Sequence, residues 1–485
     1  MKQQLHFVGA RQESEDDMNL LTDGVLTCTY QGMSKVFESI QRYMEERGIS
    51  QTNSIAFECD NSLTSALFLL FLLEREYSFL LLPRQISVPQ EEKQVIPRFC
   101  QYTAQAETFS EEGNVVDLHY PEQFLRLKRN ENSLAVQETS PKLYLQTSGS
   151  TGKPKIVRHS HAYIKANSLN CVKRLDISSK DRIAIPVPIF HMYGLGAAFL
   201  PGVAARASID LQKGANLLRY FEREQEFKPS TAFLTPAYCN ALSKVHPSGR
   251  TYRVTIVAGD RITDDVFSSY ESRFGCLVKL YGSTEMGAIA AADPREPSDV
   301  RIKTVGKPMP GVQVNVEERS GEMLEELENV GKLWCKHEYG FEGYVDNDGE
   351  LVSLYDKDTW FCTNDQGLAW EDGHLVVVGR SDQSVNRDGL LVSLRYVEEV
   401  VKSIQGIEAV TVVAKGESQR GKGIVACCLV AQAAGITEAD IRMACFEKLP
   451  KRAVPDKVLI IRSFPLLANG KVDRQKLINS IDDKP

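Results

Sequence analysis

Along the first 280 residues, short apolar segments alternate with helical ones, and this alternation constrains the fold more than any other feature of the chain. Residues 34–48 place apolar side chains at helical spacing between Ser34 and Gly48. Residues 55–58 read as a strand, 63–74 as a buried helix and 79–82 as a second strand. The pattern then repeats. A strand at 143–146 leads through a Gly/Ser/Thr loop to a helix starting near His161. Strands follow at 182–185, 232–234, 254–258 and 278–281, with helices at 216–225 and 264–273. Strands that alternate with helices predict an α/β fold of parallel-rich sheets with helices on their faces.

From about residue 300 the texture changes to short strands with Gly and Asp turns, such as 331–336 and 373–378, which predicts a β-rich subdomain. After Arg380 come a helix at 395–403, strands at 408–414 and 423–431, a helix at 437–447 and a strand at 457–462. We therefore expect a large N-terminal core over 1–381, β-rich from about 300, and a small mobile α+β domain over 382–485. A chain of 485 residues is long for one core, which fits this division.

The net charge of −7 argues against a nucleic-acid scaffold, which would carry a basic excess. Lys153, Lys155 and Arg158 form a short basic run that suits one polyanionic small molecule better. The eleven cysteines are scattered, with no CxxC and no zinc spacing, so reduced thiols and a cytoplasmic setting are expected. The N-terminal residues lack the apolar segment of a secretory signal. The most apolar stretch, 66–82, is broken by Glu74, Arg75 and Glu76, so no stable membrane insertion is expected.

The loop Thr147-Ser148-Gly149-Ser150-Thr151-Gly152-Lys153-Pro154-Lys155 follows a short apolar strand. Its hydroxyls and glycine amides can surround phosphate oxygens closely, and two lysines add positive charge. The spacing is too short for a Walker loop. A flexible linker would need neither the paired lysines nor the preceding strand.

At this point the sequence resembles the adenylate-forming enzymes: acyl-CoA synthetases, aryl-acid ligases, peptide-synthetase adenylation domains and luciferases. Residues 144–155, YLQTSGSTGKPK, are similar to that family's phosphate loop, and four further blocks follow in the family's order. In Tyr281-Gly282-Ser283-Thr284-Glu285, the resemblance implies that Tyr281 stacks on adenine, Thr284 touches phosphate and Glu285 holds Mg²⁺. A carboxylate completed by phosphate oxygens suits that ion. In Thr363-Asn364-Asp365 the aspartate would accept from the ribose hydroxyls. In Gly379-Arg380-Ser381-Asp382, Arg380 would contact the nucleotide and Asp382 would be the hinge of the C-terminal domain. In Asn469-Gly470-Lys471, Lys471 would bridge the substrate carboxylate and the α-phosphate.

The run from Pro188 to Gly194 resembles the FHxYG form of CoA-type ligases and implies an acyl-pocket entrance at His191, Tyr193 and Gly194. Peptide-synthetase domains often carry an aspartate where this chain has His191, which counts against an α-amino-acid substrate. Ala258-Gly259-Asp260 resembles the family's turn beside adenine. His159 and His161 flank Ser160 without ligand partners at metal spacing and read as helix-start residues.

The resemblance implies ATP and Mg²⁺, a small-molecule carboxylic acid, and an acyl acceptor that is coenzyme A or the phosphopantetheine of a carrier protein. After the hinge, the family commonly shows a lysine, a glycine and a Pro-x-Glu step. Here Asn386 and Arg387 stand near the expected lysine, Gly389 is retained, and Arg395 stands where proline is usual. The second half-reaction therefore has fewer matching residues than the first. The alternatives are a stand-alone amino-acid adenylation enzyme and a nucleotide-binding module that has lost catalysis.

Overall fold

The computed structural model describes residues 19–84, 95–110, 113–134, 140–147, 154–214, 216–244, 251–317, 330–380, 384–387, 390–418, 421–431, 435–466 and 472–481. The expected class holds, with four sheets and helices against them. The first sheet has nine strands. Five neighbours, Leu20–Thr22, Ser208–Asp210, Arg182–Ala184, Thr231–Leu234 and Tyr252–Val257, run parallel and continue into Gly275–Ser283. Antiparallel strands close both ends of this run.

The second sheet has eight strands. Its parallel centre is Tyr102–Ala106, Ser54–Cys59, Ser78–Pro83 and Lys142–Gln146. One apolar cluster joins residues of both sheets and the helix Leu63–Glu74, in which every residue from Leu63 to Leu73 is buried. A helix that is apolar all round requires such a setting. The stretch 66–82 is thus a core helix followed by a strand. Among the described residues no helix is long and apolar enough to cross a membrane.

Two local expectations need correction. The first helix begins at Tyr30 rather than Ser34, because the Thr29 hydroxyl accepts from the Gly32 amide at 3.2 Å and caps it there. The segment after the Gly/Ser/Thr loop is a strand, Ile156–Ser160, before it is a helix. It pairs antiparallel with Lys142–Gln146, so the loop connects two paired strands rather than a strand and a helix. His161 does open the helix His161–Leu175, capped by Ser160, but His159 lies buried on the strand.

The β-rich region supplies an antiparallel sheet of Val312–Glu317, Gly331–His337, Phe361–Ala369 and Leu375–Arg380. The strand Gly343–Val345 from the same region pairs with Ile156–Ser160 in the eight-stranded sheet. Residues beyond Arg380 form a further sheet whose apolar clusters contain only residues 385–481. All eleven cysteines are free, and the vicinal Cys427 and Cys428 are buried on the strand Gly421–Val430.

Candidate active site

The Gly/Ser/Thr loop is closed at its neck. The Thr147 amide donates to the Lys155 carbonyl at 3.0 Å, and the Lys155 amide donates to the Thr147 hydroxyl at 3.1 Å. Ser148, Gly149, Ser150, Thr151, Gly152 and Lys153 lie outside the described residues. Tyr144, at the start of the matching run, is buried against Phe99 and belongs to the core.

Arg158 does not add to the loop's charge. Its guanidinium pairs with Glu342 at 3.1 Å, and Lys142 pairs with the same carboxylate at 2.9 Å. This half-buried triad ties the hairpin to the strand Gly343–Val345.

The loop's remaining described cation, Lys155, lies 4.8 Å from the centre of the Tyr344 ring. The Tyr344 hydroxyl donates to Glu285 Oε1 at 2.9 Å. Tyr344 therefore links the base of the Gly/Ser/Thr loop to the turn bearing Glu285. No motif marked it, although its place one residue after Gly343, on a strand paired to the loop hairpin, gives the reason for its position. Burial and the adjacent Glu285 carboxylate push the phenol well above its ordinary pKa, so it remains a donor.

A second network starts four residues earlier on the same turn. The Tyr281 hydroxyl donates to Asp365 Oδ2 at 2.6 Å, and Arg380 stands 3.9 Å from Asp365 Oδ1. Asp365 and Arg380 face each other across paired strands, and the Asp365 amide donates to the Thr363 hydroxyl. Burial and Asp365 hold the Tyr281 phenol protonated. Gly282 is required at this place, because a Cβ there would lie 2.2 Å from the Gly287 carbonyl oxygen.

The turn is followed by the strand Gly287–Ala291, so Ser283 and Thr284 cap no helix; the Ser283 hydroxyl accepts from the Met286 amide. The Thr284 carbonyl accepts from His159 Nε2 at 2.8 Å. Burial pushes His159 down to about 4 and His337 down to about 4, which keeps both rings neutral at pH 7.

The third group lies around Pro188–Gly194. The Tyr193 hydroxyl sits 2.9 Å from the Leu234 carbonyl and 2.8 Å from that of Ile256, so it binds two neighbouring strand ends. Gly194 allows a close approach, since a Cβ there would lie 2.1 Å from the Pro188 carbonyl oxygen. His191 is half-buried with its ring against Phe190.

Two residues beyond the strand Tyr252–Val257, Gly259 has a φ of +90°, which favours glycine. Asp260 and Arg261 then reach the C-terminal region. Asp260 pairs with Arg395 at 2.9 Å and Arg261 with Glu399 at 3.0 Å. Arg395, which replaces the usual proline, is thus a bridging residue. The neighbouring Arg387 is buried, paired with Asp456 at 2.8 Å. Asp382 and Lys471 lie outside the described residues, although Leu466 and Val472 pair across the segment containing Lys471.

Glu285 is a partly exposed hard-oxygen donor and suits Mg²⁺. Among the described residues no three carboxylate, His or Cys side chains form a cage.

The chain belongs to the AMP-binding enzyme family. The family's sequence profile matches residues 12–345, and that of the AMP-binding enzyme C-terminal domain matches 396–471. The chain is similar to a sulfoacetate–CoA ligase of Cupriavidus necator, 24% identical over 347 residues, covering 71% of this chain and 68% of the relative. A 2-succinylbenzoate–CoA ligase of Enterococcus faecalis is 26% identical over 337 residues, covering 69% and 68%. The crystal structure of ATP-bound MatB from Rhodopseudomonas palustris shares the fold, with a TM-score of 0.79 at 19% identity, covering 96% of this chain and 97% of that one. The chain is accordingly an AMP-forming ligase, which activates a carboxylic acid with ATP to an acyl-adenylate and passes the acyl group to a thiol.

Proposed function

We propose that residues 147–152 and Lys155 hold the ATP triphosphate while a small-molecule carboxylate attacks the α-phosphorus, giving acyl-AMP and pyrophosphate. The observation that carries this assignment is the convergence of two networks on one turn, Lys155–Tyr344–Glu285 and Tyr281–Asp365–Arg380. They set a phosphate-side carboxylate four residues from a nucleoside-side aromatic. Tyr281 would stack on adenine, with Gly259 and Asp260 at the purine edge. Asp365 and Arg380 would take the ribose hydroxyls.

Thr284 would donate to phosphate and Glu285 would hold Mg²⁺, which supplies charge neutralisation at the polyphosphate when bound. Lys471 would stabilise the charge that develops as pyrophosphate leaves. Gly194 and His191 would border the acyl pocket, with Tyr193 bracing it from behind. Most of the rate enhancement would come from positioning and electrostatics.

In the second step the thiolate attacks the acyl carbonyl, the C–O bond to AMP breaks and AMP departs. The division at 381/382, with Asp382 as hinge, would let the small domain reorient between steps. The names of the two CoA ligases above support coenzyme A as acceptor; a carrier-protein phosphopantetheine offers the same thiol chemistry. The all-free cysteines support a cytoplasmic setting.

ATP–pyrophosphate exchange across a panel of fatty, aryl and amino acids tests the assignment. Exchange with one acid class is expected. A protein that binds ATP but exchanges with no acid would overturn it.

A further inference from the structure

The turn that carries Thr284 and Glu285 is bounded by glycines, and Gly287 has a φ of +64°. Such a segment has little stiffness of its own. Its three successive carbonyls are instead held by three separate parts of the chain. The Thr284 carbonyl accepts from His159 Nε2, the Glu285 carbonyl from the Phe341 amide at 2.8 Å, and the Met286 carbonyl from Asn167 Nδ2 at 3.1 Å. Asn167 Oδ1 also accepts from the Ala288 amide at 3.2 Å, so one side chain grips both sides of Gly287.

Asn167 projects from the helix His161–Leu175 and is 3% exposed. A Cβ on residue 287 would lie 2.3 Å from Asn167 Nδ2, so the glycine is what allows the amide to dock. His337 lies beside this amide: its Nδ1 accepts from the Tyr339 amide, which places the ring proton on Nε2, 3.1 Å from Asn167 Nδ2.

We propose that Asn167 and His159 are positioning residues for adenylation: they hold the Thr284 and Met286 carbonyls that flank the Glu285 carbonyl bound by the Phe341 amide, and so set the direction in which the Glu285 carboxylate leaves the turn. Neither side chain touches substrate in this account; they act through Glu285, and the inference rests on the assignment of Glu285 to metal–ATP. A buried side-chain amide bonded at both ends to backbone holds a turn in one register. A displacement of about 1 Å at a catalytic group costs on the order of 10²-fold in rate.

The test compares Asn167→Ala, His159→Leu and His159→Gln in the full chain. Glutamine keeps an Nε2–H donor at similar reach, whereas leucine removes it. Hydrogen exchange of the ligand-free protein is expected to show protection around residues 284–288 lost in Asn167→Ala while the strand Tyr252–Val257 stays protected.

In ATP–pyrophosphate exchange, Asn167→Ala and His159→Leu are expected to lower kcat about 100-fold. They should raise the Mg²⁺ concentration at half-maximal rate and leave KM for the acid within about threefold. His159→Gln is expected to recover most of the rate. Wild-type kcat and Mg²⁺ dependence in a folded Asn167→Ala protein would overturn the proposal. So would losses that follow thermal stability alone with no recovery by glutamine.

The Mg²⁺ dependence of ATP binding separates the two levels. If the wild-type protein exchanges with no acid, the functional assignment fails by itself. The positioning role then stands if Mg²⁺-assisted ATP binding weakens in Asn167→Ala, and falls if it does not.

Discussion

The turn around Glu285 and the contact between Asp260 and Arg395 both join distant parts of the chain, but they are built from different material. The turn is held by buried neutral groups, with Asn167, His159 and the Phe341 amide each committed to a backbone partner. The Asp260–Arg395 and Arg261–Glu399 pairs are ionic, and three of these four side chains are more than a third exposed. Solvent-exposed pairs contribute about 0–1 kcal/mol. Breaking a buried polar network leaves unsatisfied groups at about 1–3 kcal/mol each. The difference suits a reaction in which one region must stay fixed while another docks and leaves.

The largest predicted effect lies at the docking side. Lys471→Ala should lower ATP–pyrophosphate exchange by about 10³-fold, the scale of removing one transition-state charge partner, with the melting temperature unchanged. Unchanged exchange would remove Lys471 from the chemistry.

Acid should next strike the fixed side. Burial pushes His159, His161 and His337 each down to about 4, whereas the unfolded chain takes up these protons near pH 6.5. Their contribution to stability is present above about pH 6.5 and is lost as pH falls toward 4. At pH 5 the loss should be on the order of 1–2 kcal/mol for each histidine. Urea unfolding at pH 7 and pH 5 measures it, and the triple variant His159→Gln, His161→Gln, His337→Gln should flatten the slope.

A smaller effect is expected from Tyr344→Phe, which removes the donor to Glu285 Oε1. Exchange should fall about tenfold, equivalent to one hydrogen bond to a charged group, with a higher Mg²⁺ requirement. The smallest concerns the exposed contact. Arg395→Ala should change stability by less than about 1 kcal/mol and exchange by less than threefold, while altering thioester formation. A stability loss as large as that of Asn167→Ala would erase the contrast between the two regions.

The sequence pattern disclosed the parallel strands and their helices because apolar runs and caps are local features. The helix Leu63–Glu74 is an example, with Ser62 at its cap. It did not disclose the strand Ile156–Ser160, whose Arg158, His159 and Ser160 mask any apolar alternation. The order of motifs identified Tyr281, Glu285, Asp365 and Arg380; the structure joins Tyr281, Asp365 and Arg380 through side-chain contacts and links Glu285 to Tyr344 instead. Tyr344, Asn167 and His337 stayed hidden because their partners lie far along the chain: Asn167 is 119 residues from Met286 and 170 from His337. Such contacts exist only once the sheets are assembled. The same holds for Arg158: the sequence places it in a basic run suited to a polyanionic small molecule, whereas its partner Glu342 lies far along the chain.

In adenylation a carboxylate oxygen becomes bonded to the α-phosphorus of ATP. Oxygen-isotope transfer tests it directly, using an acid that supports exchange, labelled in its carboxyl group with ¹⁸O, together with ATP and coenzyme A. The account predicts AMP carrying one ¹⁸O atom and unlabelled pyrophosphate. Label appearing in orthophosphate, with ADP as the nucleotide product, would contradict it.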